Sequence, residues 1–309
     1  MRETIRVLSA QNKENRGAIT NGSSTQKDAS SSVAFGEKRL GIDMHLQVIV
    51  SSTTIANVIN AFPSDYHKDY SLVRTAAKEY LRNIGSPPSD NAIAALAEHL
   101  SLVLTRWGAG KRKAPHPCGG RTISSLLHDA RLRLDLSKLA LTGLPALTLH
   151  MDGRKIMNGA AIRGPKHFDD LLFSILTRLS NELFVGNTNV TYPMKAVLLI
   201  TGLMPAFDSQ VRAGLGRAGF AGVNKTQFLL PSSTENSDAM KLTRLPFVLG
   251  HCWTTFRDIF EEGIRGSDHP ELVREPGRVF DILFFMQENA SVELFRFQGS
   301  DLNRWYSIH

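Results

Sequence analysis

The stretch from Thr191 to Arg212 constrains this chain most. After Tyr192, Pro193, Met194 and Lys195, twelve residues pass without a charge before Asp208. Ala196 to Ile200 has the make-up of an apolar helix, and a break at Gly202 and Pro205 follows. Thr191 is placed to cap this helix and Pro193 suits its first turn. Lys195 is therefore expected where the helix dipole is positive and disfavours an ammonium ion. Pro205 is expected to stop the helix, and Asp208, with Ser209 and Gln210 behind it, reads as the N-cap of the next one. Two charged groups bracket an apolar rod, and a chain built around such a rod has to wrap it with other apolar faces.

Those faces are helical. Ile55, Val58, Ile59 and Phe62 recur at helical spacing from about Ser52, after a short strand-like piece at Val48 to Val50, and Pro63 to Asp65 breaks the run. A second helix is expected over 71–81, ended by Gly85 and the pair Pro87 and Pro88. A third opens at Ser89 or Asp90 and places Ile93, Leu96, Leu100, Val103, Leu104 and Trp107 on one face before stopping at Gly108. Thr122 or Ser124 then opens a helix holding Ile123, Leu126, Leu127, Ala130 and Leu134. The span 146–157 reads as a hairpin with a tight turn at Asp152 and Gly153. A long helix from about Lys166 to Phe184 leads into the central stretch. Beyond Gly219 a helical run from about Ser237 to Glu262, bent by Pro246 and Gly250, precedes a last amphipathic helix with Val279, Phe280, Ile282 to Met286. The fold class is mostly α, with at most a small β hairpin. Residues 1–40, polar and rich in serine, bury too little apolar surface to offset ordering and are expected to form a mobile arm; 41–309 forms the helical domain.

Lysine and arginine exceed aspartate and glutamate by 7, and most of that excess is local. Between Arg106 and Lys138 lie eight basic residues against two acidic ones, giving this segment +6. Such a patch favours a polyanionic partner, although the plain alternative is a solvated basic face. Cys118 and Cys252 lie far apart in no metal-like spacing, and the histidines show no ligand spacing, so no metal or other cofactor is expected. The cysteine usage fits a reducing cytoplasm, and no apolar run reaches the length of a membrane span. Gly214, Gly216 and Gly219 match a dinucleotide fingerprint in spacing, but no strand precedes them, so that reading is discarded.

Thr191 with Lys195, the apolar helix, and Pro205, Ala206, Phe207 and Asp208 together resemble the catalytic end of the helix-hairpin-helix DNA glycosylase fold. With Arg106, Trp107, Gly108 and Met194 added, the stretch from about Leu96 to Phe220 is similar to bacterial proteins that look like the 8-oxoguanine glycosylases. The resemblance implies a helical bundle acting on DNA: a base is flipped out, the Lys195 amine attacks the sugar C1′ to form a Schiff base, and Asp208 steers proton transfer and steadies positive charge. It further implies that Arg106, Lys111, Arg112, Lys113 and Arg121 contact phosphates, with Trp107 anchoring the core. No cysteine cluster follows Asp208, which separates the chain from the iron–sulfur branch. Where the family carries a pair of glycines before the lysine, Phe184 to Thr191 holds only Gly186. Two alternatives stand beside a DNA glycosylase or lyase. One is a catalytically inactive DNA-binding module of a defence or mobile-element system, and the other a helical interaction protein without nucleic acid.

Overall fold

The computed structural model describes residues 45–298 apart from 112, 151, 152, 158, 188, 221, 226, 227 and 291. The N-terminal arm and Arg112 lie outside the described residues. Within them the elements run β1 (His45–Val48), α1 (Ser52–Ala61), α2 (Ser64–Tyr80), α3 (Asp90–Arg106), β2 (His116–Pro117), α4 (Gly120–Leu127), α5 (Ala130–Thr142), β3 (Leu147–His150), β4 (Gly153–Ile156), α6 (Pro165–Glu182), β5 (Phe184–Val185), α7 (Thr191–Thr201), α8 (Ser209–Arg217), α9 (Ser237–Thr255), α10 (Arg257–Arg265), α11 (Pro276–Asn289) and β6 (Phe295–Gln298). The fold is mostly α. The strands form three antiparallel pairs, β1 with β6, β2 with β5 and β3 with β4. Among the described residues no helix is long and apolar enough to cross a membrane.

The rod of the central stretch is α7. Every residue from Pro193 to Thr201 is buried, with α2, α3, α5 and α6 packed around it. It ends at Gly202 in the left-handed conformation (φ +68°), three residues before Pro205, because the chain needs a reversal there that a residue with a Cβ resists. The last helix, α11, is not amphipathic. Arg278, Asp281 and Gln287 are buried along with its apolar residues, and each of these side chains is bonded internally. Gln287 donates to Gly214 O (2.9 Å) and accepts from the Leu294 and Phe295 amides (3.0 and 2.8 Å), which steers the chain into β6, a strand the sequence pattern did not reveal. α11 and α8 approach so closely that a Cβ on Gly214 would lie 2.0 Å from Phe284 O. This close approach explains Gly214 without any dinucleotide.

Other boundaries differ from expectation for local reasons. α2 starts at Ser64 rather than Ser71, because its first two turns bury His67, Asp69 and Tyr70, polar residues that a hydrophobic pattern does not count. The expected helix from Thr122 through Leu134 is two helices: Asp129 accepts the Leu132 amide (2.8 Å) and restarts the chain as α5. Pro246 sits inside α9 without ending it, and the break before α10 falls at Phe256.

His67 lies face to face with His269 (ring centroids 3.8 Å apart) and edge-on to Phe62, with its Nε2 buried and unbonded. Burial, with Arg278 and His269 adding to it, pulls its pKa down to about 3, while a bond to the Ile59 backbone works the other way. A lowered histidine pKa means that below pH 6.5 the unfolded chain takes up a proton that the folded chain refuses. Stability is therefore lost as pH falls from 6.5 towards 3, at up to about 1.4 kcal/mol per pH unit. Urea unfolding at about pH 6.5 and about pH 5 is expected to show a steeper loss for the natural protein than for His67→Asn; equal losses would contradict this assignment.

Candidate functional site

The loop entering α7 is held by asparagines. Asn187 Oδ1 accepts the Asn189 amide (3.0 Å), Asn187 Nδ2 donates to Ser180 Oγ (3.0 Å) and Asn189 O (2.9 Å), and Asn189 Oδ1 accepts the Thr191 amide (2.8 Å). Thr191 is therefore the first helical residue and not the cap, a position held by Val190 without a side-chain bond. Lys195 consequently stands fifth in the helix. It lies beyond the first turn, where the dipole acts most strongly.

What holds Lys195 is tertiary. The side chain is 9% exposed, and Nζ donates to Trp107 O at 2.8 Å. Nζ also lies 3.4 Å from Asp208 Oδ2, 5.3 Å from the Tyr192 ring centroid and 6.0 Å from that of Trp107. Gly108, at φ +104°, turns the chain directly after Trp107.

Asp208 is the N-cap of α8. Its Oδ1 accepts the amides of Gln210 (3.0 Å) and Val211 (3.1 Å), which leaves Oδ2 facing Lys195. The residue before it, Phe207, is strained: a bulky side chain at φ +54°. Packing compensates, since the ring is fully buried edge-on to Phe228 (5.2 Å) and the neighbouring Ala206 amide donates to Asp281 Oδ1 (2.8 Å). Asp281 Oδ2 in turn accepts from Arg278 Nη1 (2.5 Å). The Arg278 guanidinium is enclosed by the rings of Tyr70, Phe62 and Trp107 at 4.9 to 5.4 Å and donates to Tyr66 O. Burial pushes the Asp281 carboxyl up, Arg278 pulls it down, and the charge of Asp208 adds to the upward push; the net shift is upward. Burial likewise raises the Tyr192 phenol, with Asp208 as the second cause, and lowers Arg212 against the opposing pull of Asp208.

These groups open on one cleft of about 1010 Å³. Tyr66, Trp107, Tyr192 and Phe285 supply aromatic walls, while Lys195, Asp208, Arg278 and Asp281 line its charged part. Pairing of β2 with β5 sets Lys111, Lys113, Ala114 and Pro115 beside Gly186, Asn187 and Asn189, so that the exposed Lys111 and Lys113 line the same cleft.

Among the described residues the basic segment does not form one patch. Arg106 pairs with Asp69 (2.7 Å), whose other oxygen accepts Trp107 Nε1, and it does not line the cleft. Arg121 is exposed on α4, also outside the lining. Arg133 is buried, with its guanidinium bonded to the carbonyls of Tyr80, Arg82 and Ser86, and Lys138 pairs with Asp135. Trp107 is buried, as an anchor would be, yet its ring and its carbonyl both meet Lys195. Sequence reasoning missed Arg212, Arg278 and Asp281. The signal for the last two was there: charges three apart at the head of the apolar run Ile282 to Met286, close to the signature that singled out Lys195.

The fold and cleft define a mostly helical protein with a lysine–aspartate pair sunk in an aromatic-walled cleft whose rim is basic. No protein-family model, no curated protein and no solved structure matches the chain.

Proposed function

We propose that this protein is a DNA-binding lyase of the helix-hairpin-helix glycosylase type, in which Lys195 forms a Schiff base with a sugar C1′ and Asp208 moves the protons. The observation that carries the reading is the 3.4 Å approach of Lys195 Nζ to Asp208 Oδ2 inside an open cleft. An ammonium becomes a nucleophile only after it loses a proton, and a carboxylate at that distance is placed to take it. The ring-opened form of an abasic sugar carries an aldehyde, and the chemistry then balances. Asp208 takes one proton from the ammonium, the amine adds to the aldehyde carbon, and the carbonyl oxygen leaves as water with the Asp208 proton and one from nitrogen. The nitrogen ends as an iminium ion beside an ionised Asp208, so the charge pattern before and after is the same. Lys111 and Lys113 on the rim suit the phosphates of the same strand.

The test is borohydride trapping on duplex DNA with an abasic site and on duplexes carrying damaged bases. A covalent adduct is the expected result, and its absence from every duplex rejects the lyase reading. A second reading, a DNA-gripping module without chemistry, is favoured by one observation: the Asn189 and Thr191 amides at the entrance to α7 are already bonded to asparagine side chains and are not free to grip a phosphate. Both readings need the rim lysines. Neutralising them in Lys111→Gln/Lys113→Gln is expected to weaken duplex binding and to reduce the slope of log K against log salt by about 0.9 for each phosphate no longer neutralised. An unchanged slope in fluorescence anisotropy would remove nucleic acid as the partner of this rim.

A further inference from the structure

We infer that Tyr192 and Trp107 form an aromatic clamp that positions the reacting nitrogen of Lys195 and holds its positive charge in the ammonium and iminium states alike. The inference rests on the lyase reading for its chemistry but not for its geometry. Three observations converge on Nζ. The Tyr192 ring centroid is 5.3 Å away and that of Trp107 6.0 Å, both within the range where a ring face attracts a cation. The Trp107 carbonyl accepts an Nζ proton at 2.8 Å. Tyr192 stands three residues before Lys195 on the same helix, so the two share one face of α7, and both line the cleft.

Each group has a distinct task. The carbonyl takes one N–H, which an iminium nitrogen retains. Asp208 takes one of the two protons that must leave, and the other departs with the carbonyl oxygen as water. The ring faces accept no proton and lose nothing when the nitrogen changes hybridisation, so they act equally on the two cationic states and hold the amine close to the line of attack in between. The phenol hydroxyl has no part in this: a phenol is neutral at neutral pH, burial raises the Tyr192 pKa further, and its oxygen sits over Gly108, where a Cβ would lie 3.3 Å away. A leucine at 192 would stay apolar and favour the helix, yet would offer no ring face.

The clamp separates ring from hydroxyl, and Tyr192→Phe and Tyr192→Leu test that separation. With saturating abasic-site DNA, single-turnover trapping by Tyr192→Phe is expected to stay within about twofold of the natural protein, and Tyr192→Leu to slow by about tenfold. Equal rates for the two variants would overturn the clamp, as would a slow Tyr192→Phe. A second measurement does not depend on catalysis. In NMR spectra of the resting protein the Lys195 ε-methylene protons are expected upfield of ordinary lysines through ring currents, to stay there in Tyr192→Phe, and to move back in Tyr192→Leu. Ordinary shifts in the natural protein would refute the clamp. A natural protein that gives no adduct but shows the upfield shift would reject the lyase reading and leave the clamp standing as a lysine-positioning device.

Discussion

Lys195→Gln is expected to abolish the borohydride-trapped adduct, with a loss of at least about 10³-fold, while duplex binding persists. Glutamine is one bond shorter but still carries N–H donors that can turn towards the Trp107 carbonyl; what disappears is the nucleophile. Asp208→Asn separates two functions that one side chain carries. Asparagine caps helices as well as aspartate does, so α8 is expected to keep its start through the Gln210 and Val211 amides. The proton acceptor beside Nζ is gone, and trapping is expected to slow by about 10²-fold or more. Unchanged trapping in Asp208→Asn would reduce the aspartate to a cap, and a surviving adduct in Lys195→Gln would move the nucleophile to another amine. Thermal melts of both variants close to that of the natural protein separate these outcomes from misfolding.

The largest stability loss is expected from Glu275→Ala. This buried carboxylate accepts Tyr70 OH (2.8 Å) and Arg74 Nε (3.0 Å) and pairs with Lys78 Nζ (2.6 Å). Burial pushes its pKa up, but Arg74, Lys78 and Tyr70 together outweigh that and hold it below the usual range. Arg74 also donates through Nη1 to Ile200 O (2.6 Å), so the same network closes the C-terminal end of α7 next to Gly202. Removing the carboxylate leaves a largely buried guanidinium unpaired and frees the end of the rod that carries Lys195. A loss of about 3–5 kcal/mol follows from breaking a buried pair on one side, with a fall in Tm of roughly 10 °C. Urea unfolding checks it, and a change under about 1 kcal/mol would mean that the network is redundant.

The site was half legible in the sequence. Lys195 stands out as the lone charge in an apolar helix, and Asp208 as a cap after a glycine and proline break; both readings need only neighbours in the chain. That the two meet at 3.4 Å is not local information. It depends on the reversal at Gly202 and on the strained turn at Phe207, which Asp281 holds from α11, far along the chain. The basic segment shows the opposite case. Its charges are adjacent in sequence, yet Arg106, Arg133 and Lys138 are each committed to a different partner, and only Lys111 and Lys113 among those described reach the cleft.

By itself the sequence determined that the protein is mostly α, where α1, α3 and α6 run, and that a hairpin lies between Ala146 and Met157, because apolar periodicity and turn chemistry act over a few residues and are written in the chain. Only the tertiary structure decided that α11 is buried on nearly every face, that α2 starts early over polar residues, and that Lys195 meets two rings, a carbonyl and a carboxylate. Burial of a polar group is favourable only when its partner arrives from elsewhere in the fold, and no local pattern records that arrival.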